Sequence, residues 1–214
     1  MKTIVFAGQK GGIGKSTIAC NIAIKAIKSG KSTLIIDGDP QGSSMGFRAI
    51  RETEDLKAVS ITQPKIHQDI EAFNNFDLVI VDAGGRDNTL LRSAIMAAAN
   101  GILIIPVLPS AYDIWATEDT FKILSEARVY KQIKAYAVFN RTIQNTKIAK
   151  EAHEELNKLL TKYDIESLNT VLSNRVDYSQ SIGEGLGVIE YKPDGKAAEE
   201  INELYNEIAN IMEF

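Results

Sequence analysis

The sequence predicts an α/β fold, in which a doubly wound, mostly parallel sheet carries helices on both faces. Several segments are apolar throughout instead of alternating apolar with polar residues, which is typical of strands covered on both sides. Helical patterns lie between these segments, and strands that alternate with helices form right-handed crossovers. A length of 214 residues fits one such domain over residues 1–214, and such sheets bind ligands at the carboxyl ends of their strands.

The predicted elements follow one another in a regular alternation along the chain. Strands are expected at Thr3–Ala7, Thr33–Ile36, Leu78–Val81, Ile102–Val107, Lys134–Phe139 and Leu168–Leu172, with a short edge strand near Val59–Ile61. Helices are expected at Lys15–Ser29, Ile66–Asn75, Asn88–Ala99, Thr117–Tyr130 and Lys147–Tyr163, with a last helix from about Lys196.

The last helix has an apolar stripe and an acidic remainder. The stripe carries Ile201, Leu204, Tyr205, Ile208, Ile211 and Met212. Because a helix that lies on anionic lipid would carry lysines and arginines on its other face, we expect this stripe to pack on the sheet and the protein not to bind membranes. The other face carries Glu199, Glu200, Glu203, Glu207 and Glu213.

Composition and charge limit the class of protein. Hydrophobic residues make up 44% and charged residues 24%, and the longest apolar stretch, Ile102–Leu108, is too short to span a bilayer. The start of the chain shows no signal-peptide pattern, so we expect a cytoplasmic protein. A net charge of −4 argues against a wholly basic surface and leaves a local basic patch open. Cys20 is the only cysteine, and its apolar neighbours predict a buried thiol.

A glycine-rich run lies where the first strand leads into the first helix. It reads Gln9-Lys10-Gly11-Gly12-Ile13-Gly14-Lys15-Ser16-Thr17. Glycines turn backbone N–H groups inward, the helix N-terminus favours anions, and a following lysine and serine can serve a terminal phosphate and Mg²⁺. The run therefore predicts a P-loop NTPase that binds nucleotide through residues 11–17, against the alternative of a glycine-rich turn with two solvated lysines.

This loop departs from the common P-loop pattern in a specific way. Gln9 stands where that pattern has glycine, and Lys10 is an additional lysine. The run resembles the deviant Walker A box, K-G-G-x-G-K-[ST], of the ParA/MinD superfamily of dimerising ATPases. The resemblance implies ATP and Mg²⁺ as cofactors and an ATP-bound homodimer, in which Lys10 crosses to the phosphates held by the other subunit and Lys15 serves the phosphates of its own.

Acidic residues close two of the predicted strands. The segment Asp37-Gly38-Asp39-Pro40-Gln41 matches the family's D-x-D-P-Q box, and the resemblance implies that Asp39 orients the attacking water while Asp37 supports the Mg²⁺ shell. Asp82 ends an apolar run in the Walker B form, where a carboxylate reaches Mg²⁺ through a water. With the Ser16 hydroxyl, these acids are the predicted metal site; turn formation and helix capping are the alternatives.

Two later strand ends complete the predicted nucleotide site. Gly84 and Gly85 can bring backbone N–H groups to the γ-phosphate, and Arg86 is either a phosphate or partner contact or a solvated charge. Asn140 follows another strand, and in related ATPases an asparagine at such a strand end pairs with the adenine. An ordinary loop asparagine is the alternative.

The resemblance extends to the tail of the chain and is closest to the short ParA proteins of plasmid partition, such as ParF. It implies non-specific DNA binding by the ATP-bound dimer, nucleoid association, and hydrolysis stimulated by a small centromere-binding partner. The candidate DNA contacts, each also explicable as a solvated charge, are Lys147, Lys150, Arg175, Lys158 and Lys162. A MinD-like membrane-associated regulator and a metabolic P-loop ligase or kinase are the alternative functions. An electron-transfer ATPase would need several cysteines for its cluster.

Overall fold

The computed structural model describes residues 1–85, 88–143 and 147–214, and the side chains of 88 and 147–150 lie outside the description. Its sheet has seven strands in the order β3-β2-β4-β1-β5-β6-β7, and the described strand pairs are all parallel. The strands are β1 Lys2–Phe6, β2 Thr33–Gly38, β3 Lys57–Ser60, β4 Leu78–Ala83, β5 Gly101–Val107, β6 Lys134–Thr142 and β7 Glu166–Ser173. The predicted parallel sheet and its short edge strand are confirmed.

Helices cover both faces of this sheet. They are α1 Lys15–Lys28, α2 Ser43–Ile50, α3 Ile66–Asp69, α4 Asn88–Ala97, α5 Ala111–Arg128, α6 Lys147–Tyr163, α7 Val176–Gly183, α8 Val188–Tyr191 and α9 Lys196–Met212. Short 3₁₀ segments follow α3 and α4, at Ile70–Phe73 and Ala98–Asn100.

Two hydrophobic cores lie on opposite sides of the sheet, as a doubly wound fold requires. One lies under the helices α3 to α6 and the other under α1, α2 and α7 to α9. Neighbouring residues of β1 divide between them, since Val5 joins the first core and Ile4 the second. This alternation explains why the strands are apolar at every position.

The sequence patterns missed some helices and misplaced others. Nothing in the pattern indicated α2, α7 or α8, which have only eight, eight and four residues. The helix expected at Thr117 begins at Ala111, because Ser110 is its N-cap and accepts a hydrogen bond from the backbone N–H of Asp113. The predicted helix Ile66–Asn75 is a single α turn continued as a 3₁₀ segment.

Helix α9 packs its apolar stripe on the sheet, as predicted, but its glutamates do not all face outward. Ile201, Leu204 and Ile208 are fully buried. Glu207 accepts hydrogen bonds from the backbone N–H groups of Asn169 and Thr170 at 2.7 and 3.0 Å. Glu200 accepts one from Ser173. These two residues of the acidic face bind the backbone of β7, because the helix lies against this strand.

Within the described residues, no helix combines the length and the apolarity needed to cross a bilayer. The predicted burial of Cys20 is confirmed, with 1% of the residue exposed. Burial raises the pKa of its thiol far above the usual value, so the thiol is uncharged and unreactive.

Candidate nucleotide-binding site

The topology brings the predicted acidic residues together at the carboxyl edge of the sheet. Asp37 of β2 and Asp82 of β4 are direct partners in the strand register, and Phe6 of β1 is the partner of Asp82 on the other side. The loop that leaves β1 therefore passes directly in front of both carboxylates. The carboxyl ends of these neighbouring strands therefore bring the phosphate loop and the predicted metal ligands into one site, as the sequence predicted.

The glycine-rich loop ends at a helix N-terminus that has its own N–H groups free of side-chain caps. Gly14 is the N-cap of α1 with φ 93°, and Gly12 has φ 77°, both in the region that favours glycine. No side chain caps this end of α1, so its first N–H groups can bind an anion. A Cβ at Gly14 would also overlap the amide of Asn140. Glycine is required here on both counts.

Lys15 follows this turn and is 7% exposed. Its ammonium donates to the backbone oxygen of Lys10 at 3.2 Å. Burial lowers the pKa of Lys15, and the nearby carboxylates of Asp82 and Asp39 oppose that shift. A cation held back from water in this way is positioned for a phosphate group.

Asp82 has the surroundings expected of a residue that serves a magnesium ion. One carboxylate oxygen accepts a hydrogen bond of 2.6 Å from Ser44, and the other has no partner among the described residues. Burial raises the pKa of Asp82 to about 6, against hydrogen bonds from Ser44 and Ser16 that lower it. A buried carboxylate oxygen without a partner, beside the Ser16 hydroxyl, fits a hydrated Mg²⁺. Ser44, which sequence reasoning missed, lies on α2 just after the acidic box.

The two acids of the box have different surroundings. Asp37 is fully buried, and its two oxygens accept hydrogen bonds from the backbone N–H groups of Asp39 at 3.0 Å and Met45 at 2.8 Å. Asp39 lines the phosphate cavity, and one of its oxygens accepts from Gln41 at 2.9 Å. These contacts favour Asp37 as the residue that shapes the loop and Asp39 as the residue that faces the ligand. The metal role of Asp37 and the water role of Asp39 stay predictions.

The glycine pair after β4 lies against the backbone of both neighbouring loops. A Cβ at Gly84 would lie 2.9 Å from the oxygen of Gly38 and 3.0 Å from the Cα of Asp39. A Cβ at Gly85 would overlap the backbone oxygen of Gln9. Gly85 lines the phosphate cavity, and Gly84 supports the Asp39 loop. Arg86 lies outside the described residues.

Two adjoining cavities form the site. The first has a volume of about 410 Å³ and is lined by the phosphate loop and Asp39. Residues of α2 and α7 that sequence reasoning missed also line it, namely Ser43, Phe47 and Ile182. The second, of about 490 Å³, lies between the end of β6 and the start of α7. Gly14, Thr17 and Arg141 line both, so the two cavities adjoin at these residues. The volume of the second cavity is large enough for a base and a sugar, and its neighbour has the phosphate loop.

Asn140 lines the second cavity, with its amide already engaged. Its Nδ2 donates to the backbone oxygen of Ile13 at 2.8 Å, and its Oδ1 accepts from the N–H of Arg141 at 2.9 Å. Asn140 is 6% exposed and holds the phosphate loop against β6. Base pairing by this residue stays a prediction, and the second amide hydrogen and the second lone pair of Oδ1 remain for it.

The predicted DNA contacts are scattered over several environments. Arg175 lines the base cavity and forms an ion pair of 2.8 Å with Glu200, whose other oxygen accepts from Tyr178. Lys158 and Lys162 are exposed and pair with Glu155 and Glu118. The side chains of Lys147 and Lys150 lie outside the described residues. Arg175 thus lines the second cavity of the candidate site. Its only sequence signal, a basic residue late in the chain, does not predict this position.

Lys10 extends away from its own phosphate cavity. Its ammonium forms an ion pair with Asp113 in the first turn of α5, and 41% of its side chain is exposed. Burial would raise the pKa of Asp113, but hydrogen bonds from Lys10 and Ser110 outweigh this and lower it. Tyr112 and Trp115 are close to Asp113 in sequence, and they are 78% and 56% exposed.

A parallel sheet that presents a phosphate loop, a buried lysine and a buried carboxylate at the carboxyl ends of its strands is the architecture of a P-loop nucleotide hydrolase. The family model described as the CobQ/CobB/MinD/ParA nucleotide binding domain matches residues 4–204, and the chain belongs to this family. It is an ATPase of the ParA/MinD group that uses ATP and Mg²⁺.

Comparison with known proteins finds relatives along the whole chain. The maintenance of carboxysome distribution protein A of Halothiobacillus neapolitanus is 30% identical over 96% of this chain and 95% of its own. The chromosome-partitioning ATPase Soj of Treponema pallidum is 26% identical over 97% and 96%. The septum site-determining protein MinD of Pyrococcus horikoshii, solved with Mg-ADP, is similar in fold, with a TM-score of 0.74, 17% identity and coverage of 97% and 95%.

Proposed function

We propose that the chain is a partition ATPase that dimerises on ATP, binds DNA without sequence preference, and hydrolyses ATP when a small centromere-binding partner protein engages it. Release from DNA after hydrolysis would then move or position the cargo that carries the partner. Relatives named for chromosome partitioning and carboxysome distribution support this class of function. The proposed places of action are the cytoplasm and the nucleoid.

The placement of Lys10 is the observation that carries the dimer. Lys10 belongs to the phosphate loop, yet its ammonium lies outside the phosphate cavity of its own subunit and rests on Asp113 at the surface. A lysine in this position can reach the phosphates of a second copy once Asp113 is exchanged for a stronger anion. This supports the cross-subunit role that the extra lysine implies.

The packing of α9 supports the proposal that the protein acts without a membrane. The apolar stripe of α9 is buried in the core, where Leu204 and Ile208 are fully covered. A helix can lie in a lipid interface only with its apolar face exposed. Inserting α9 would therefore require that one core of the sheet be opened.

The dimer is tested by removing Lys10. Lys10→Ala should bind ATP with nearly normal affinity and remain monomeric, because the glycines of the phosphate loop and Lys15 are unchanged. Light scattering of wild type and variant with Mg-ATP and Mg-ADP measures this. The matched control is Lys122→Ala, which also loses an exposed lysine paired with an aspartate, and which should dimerise normally. A normal ATP-dependent dimer of Lys10→Ala would show that the cross-subunit role is wrong.

DNA binding is tested by charge reversal on α6. Lys158→Glu should weaken the binding of duplex DNA with Mg-ATP and leave the dimer intact, because one phosphate contact per subunit becomes repulsive. The control, Lys57→Glu, reverses another exposed lysine, on the edge strand β3. Fluorescence anisotropy over a salt series measures both. Equal DNA affinity with ADP and ATP would contradict the proposal.

The relative named for carboxysome distribution favours a second candidate cargo, a large protein body instead of a plasmid. The two candidates differ in the partner protein. A partition partner binds a DNA site near its own gene, whereas a partner on a protein body need not. Gel-shift analysis of the protein encoded beside this chain, on the DNA around both genes, distinguishes them.

A further inference from the structure

Arg141 occupies an unusual place at the end of β6. Its backbone has φ 54°, in the left-handed region that a residue with a side chain rarely adopts. The register between β6 and β7 shifts at the same point, since Phe139 pairs with Val171 and Thr142 pairs with Ser173. The strand β6 therefore has an extra residue here, and such bulges redirect a side chain.

The bulge is fixed to the phosphate loop. Asn140 accepts a hydrogen bond from the N–H of Arg141 and donates one to Ile13 in the loop. On either side of Arg141, Asn140 and Thr142 are buried, whereas Arg141 is exposed. The strained backbone is thus held by its neighbours and turns one cationic side chain toward the nucleotide site.

The guanidinium of Arg141 is available for a ligand. In the part of the chain that the structure describes, it has neither an ion pair nor a side-chain hydrogen bond. The other basic residues that line the two cavities are engaged, since Lys15 donates to the backbone oxygen of Lys10 and Arg175 is paired with Glu200. Arg141 is also one of the few residues that line both cavities, with Gly14 and Thr17.

The junction of the cavities corresponds to a particular part of the nucleotide. The phosphate loop and Asp39 line the first cavity, and the base fits the second, so the phosphate next to the ribose lies between them. We propose that Arg141 binds this phosphate in its own subunit. The guanidinium fork is suited to two oxygens of one phosphate, and the bulge is the structural feature that aims it there.

This inference concerns nucleotide binding by one subunit and does not depend on DNA, a partner or a dimer. The test is therefore the affinity for Mg-ADP, measured by calorimetry on the monomer. Arg141→Ala should raise the Kd roughly tenfold or more, the effect of losing one charge-assisted hydrogen bond. Arg141→Lys keeps the charge without the guanidinium fork, so its Kd should lie between those of the wild type and Arg141→Ala. The control Arg92→Ala removes an arginine of α4 whose ion pair with Glu126 lies outside both cavities, and should leave the Kd unchanged.

A second variant separates binding from folding. Glycine adopts the left-handed conformation without strain, so Arg141→Gly should have an unchanged or higher melting temperature without nucleotide. It should still bind Mg-ADP as weakly as Arg141→Ala. Wild-type affinity in both variants would overturn the proposal. So would a defect that appears only in ATP-dependent dimerisation, because that result would assign Arg141 to the nucleotide of the other subunit.

Discussion

Gly85 brings two loops of the site closer than any side chain would allow. A methyl group on Gly85 would overlap the oxygen of Gln9 and lie 2.8 Å from that of Gly8. Both obstacles are backbone atoms, so they cannot swing aside as a side chain does. The loop after β4 and the phosphate loop are therefore in direct backbone contact at Gly85.

We expect Gly85→Ala to lose most ATP hydrolysis, because the added methyl group pushes the two loops apart and displaces the phosphate loop. Steady-state phosphate release measures this. Gly46→Ala is the control, since its Cβ would meet nothing within 4 Å and alanine favours the helix α2. Full activity in Gly85→Ala would mean that the two loops separate freely.

Single residues were predictable where their partners are set by the fold alone. Ser16, Asp39 and Asp82 meet because the ends of adjacent parallel strands meet, and the sequence shows where strands end. The ion pair of Arg175 with Glu200 was not predictable, because Glu200 lies on a helix that only the folded chain brings near. The contact of Lys10 with Asp113 could not be predicted from the sequence for the same reason.

Among the elements, the ends of α2 and α7 are joined by one buried arginine. Arg51 is the C-cap of α2, and 1% of its side chain is exposed. Its guanidinium donates to Asp55, to Glu190 of α8 and to the backbone oxygen of Gly185 after α7. Because α2 and α7 both line the phosphate cavity, Arg51 fixes the distance between two of its walls.

Replacing Arg51 by methionine should lower the free energy of unfolding by about 3 kcal/mol, because two carboxylates lose their buried partner. Arg48→Met, three residues earlier on the same helix, breaks a pair with an 82% exposed Glu54 and should cost about 0.5 kcal/mol. Urea unfolding at pH 7 compares the variants. Equal losses of unfolding free energy in the two variants would show that the Arg51 network stabilises the fold no more than an exposed ion pair does.

The effect of Arg51→Met should depend on pH. Hydrogen bonds from Arg51 lower the pKa of Asp55, and for Glu190 they outweigh the burial that raises it. Lowered carboxyl pKa values stabilise the fold above the unfolded values of 3.8 and 4.5, and this stabilisation is lost as the pH falls below them. The difference between wild type and variant should therefore shrink below about pH 4.

Long strands and helices were predictable as elements, and the short helices were not. α1, α6 and the sheet follow from apolar patterns that extend over many residues. Helices such as α7 and α8 are too short to form on their own, so contacts from distant residues decide them. Ser110 and Asp113 do carry a capping signal in the sequence, and this signal indicates the start of α5.

At the scale of the whole molecule, the only tryptophan of the chain reports on the surface around Lys10. Trp115 packs edge-on against Tyr112, with ring centres 5.5 Å apart, on the same helical turn as Asp113. If Lys10 leaves Asp113 for the partner's nucleotide, the surroundings of this indole change.

Tryptophan fluorescence should therefore shift with Mg-ATP and return to its first value as ATP is hydrolysed. Asp39→Ala, expected to hold ATP without hydrolysing it, should keep the shifted signal. Lys10→Ala should show no shift, although it binds ATP. A shift of equal size with Mg-ADP in the wild type would mean that nucleotide binding alone, and not the dimer, alters this surface.

The glutamates that α9 places on β7 also determine how copies of this chain can assemble. Glu207 alone accepts from both backbone N–H groups and both side chains of Asn169 and Thr170. An incoming strand from another molecule would have to displace these carboxylates before it could extend the sheet on this side. The covered edge of β7 therefore disfavours irreversible edge-to-edge strand pairing between copies of this chain, even where many copies are crowded together.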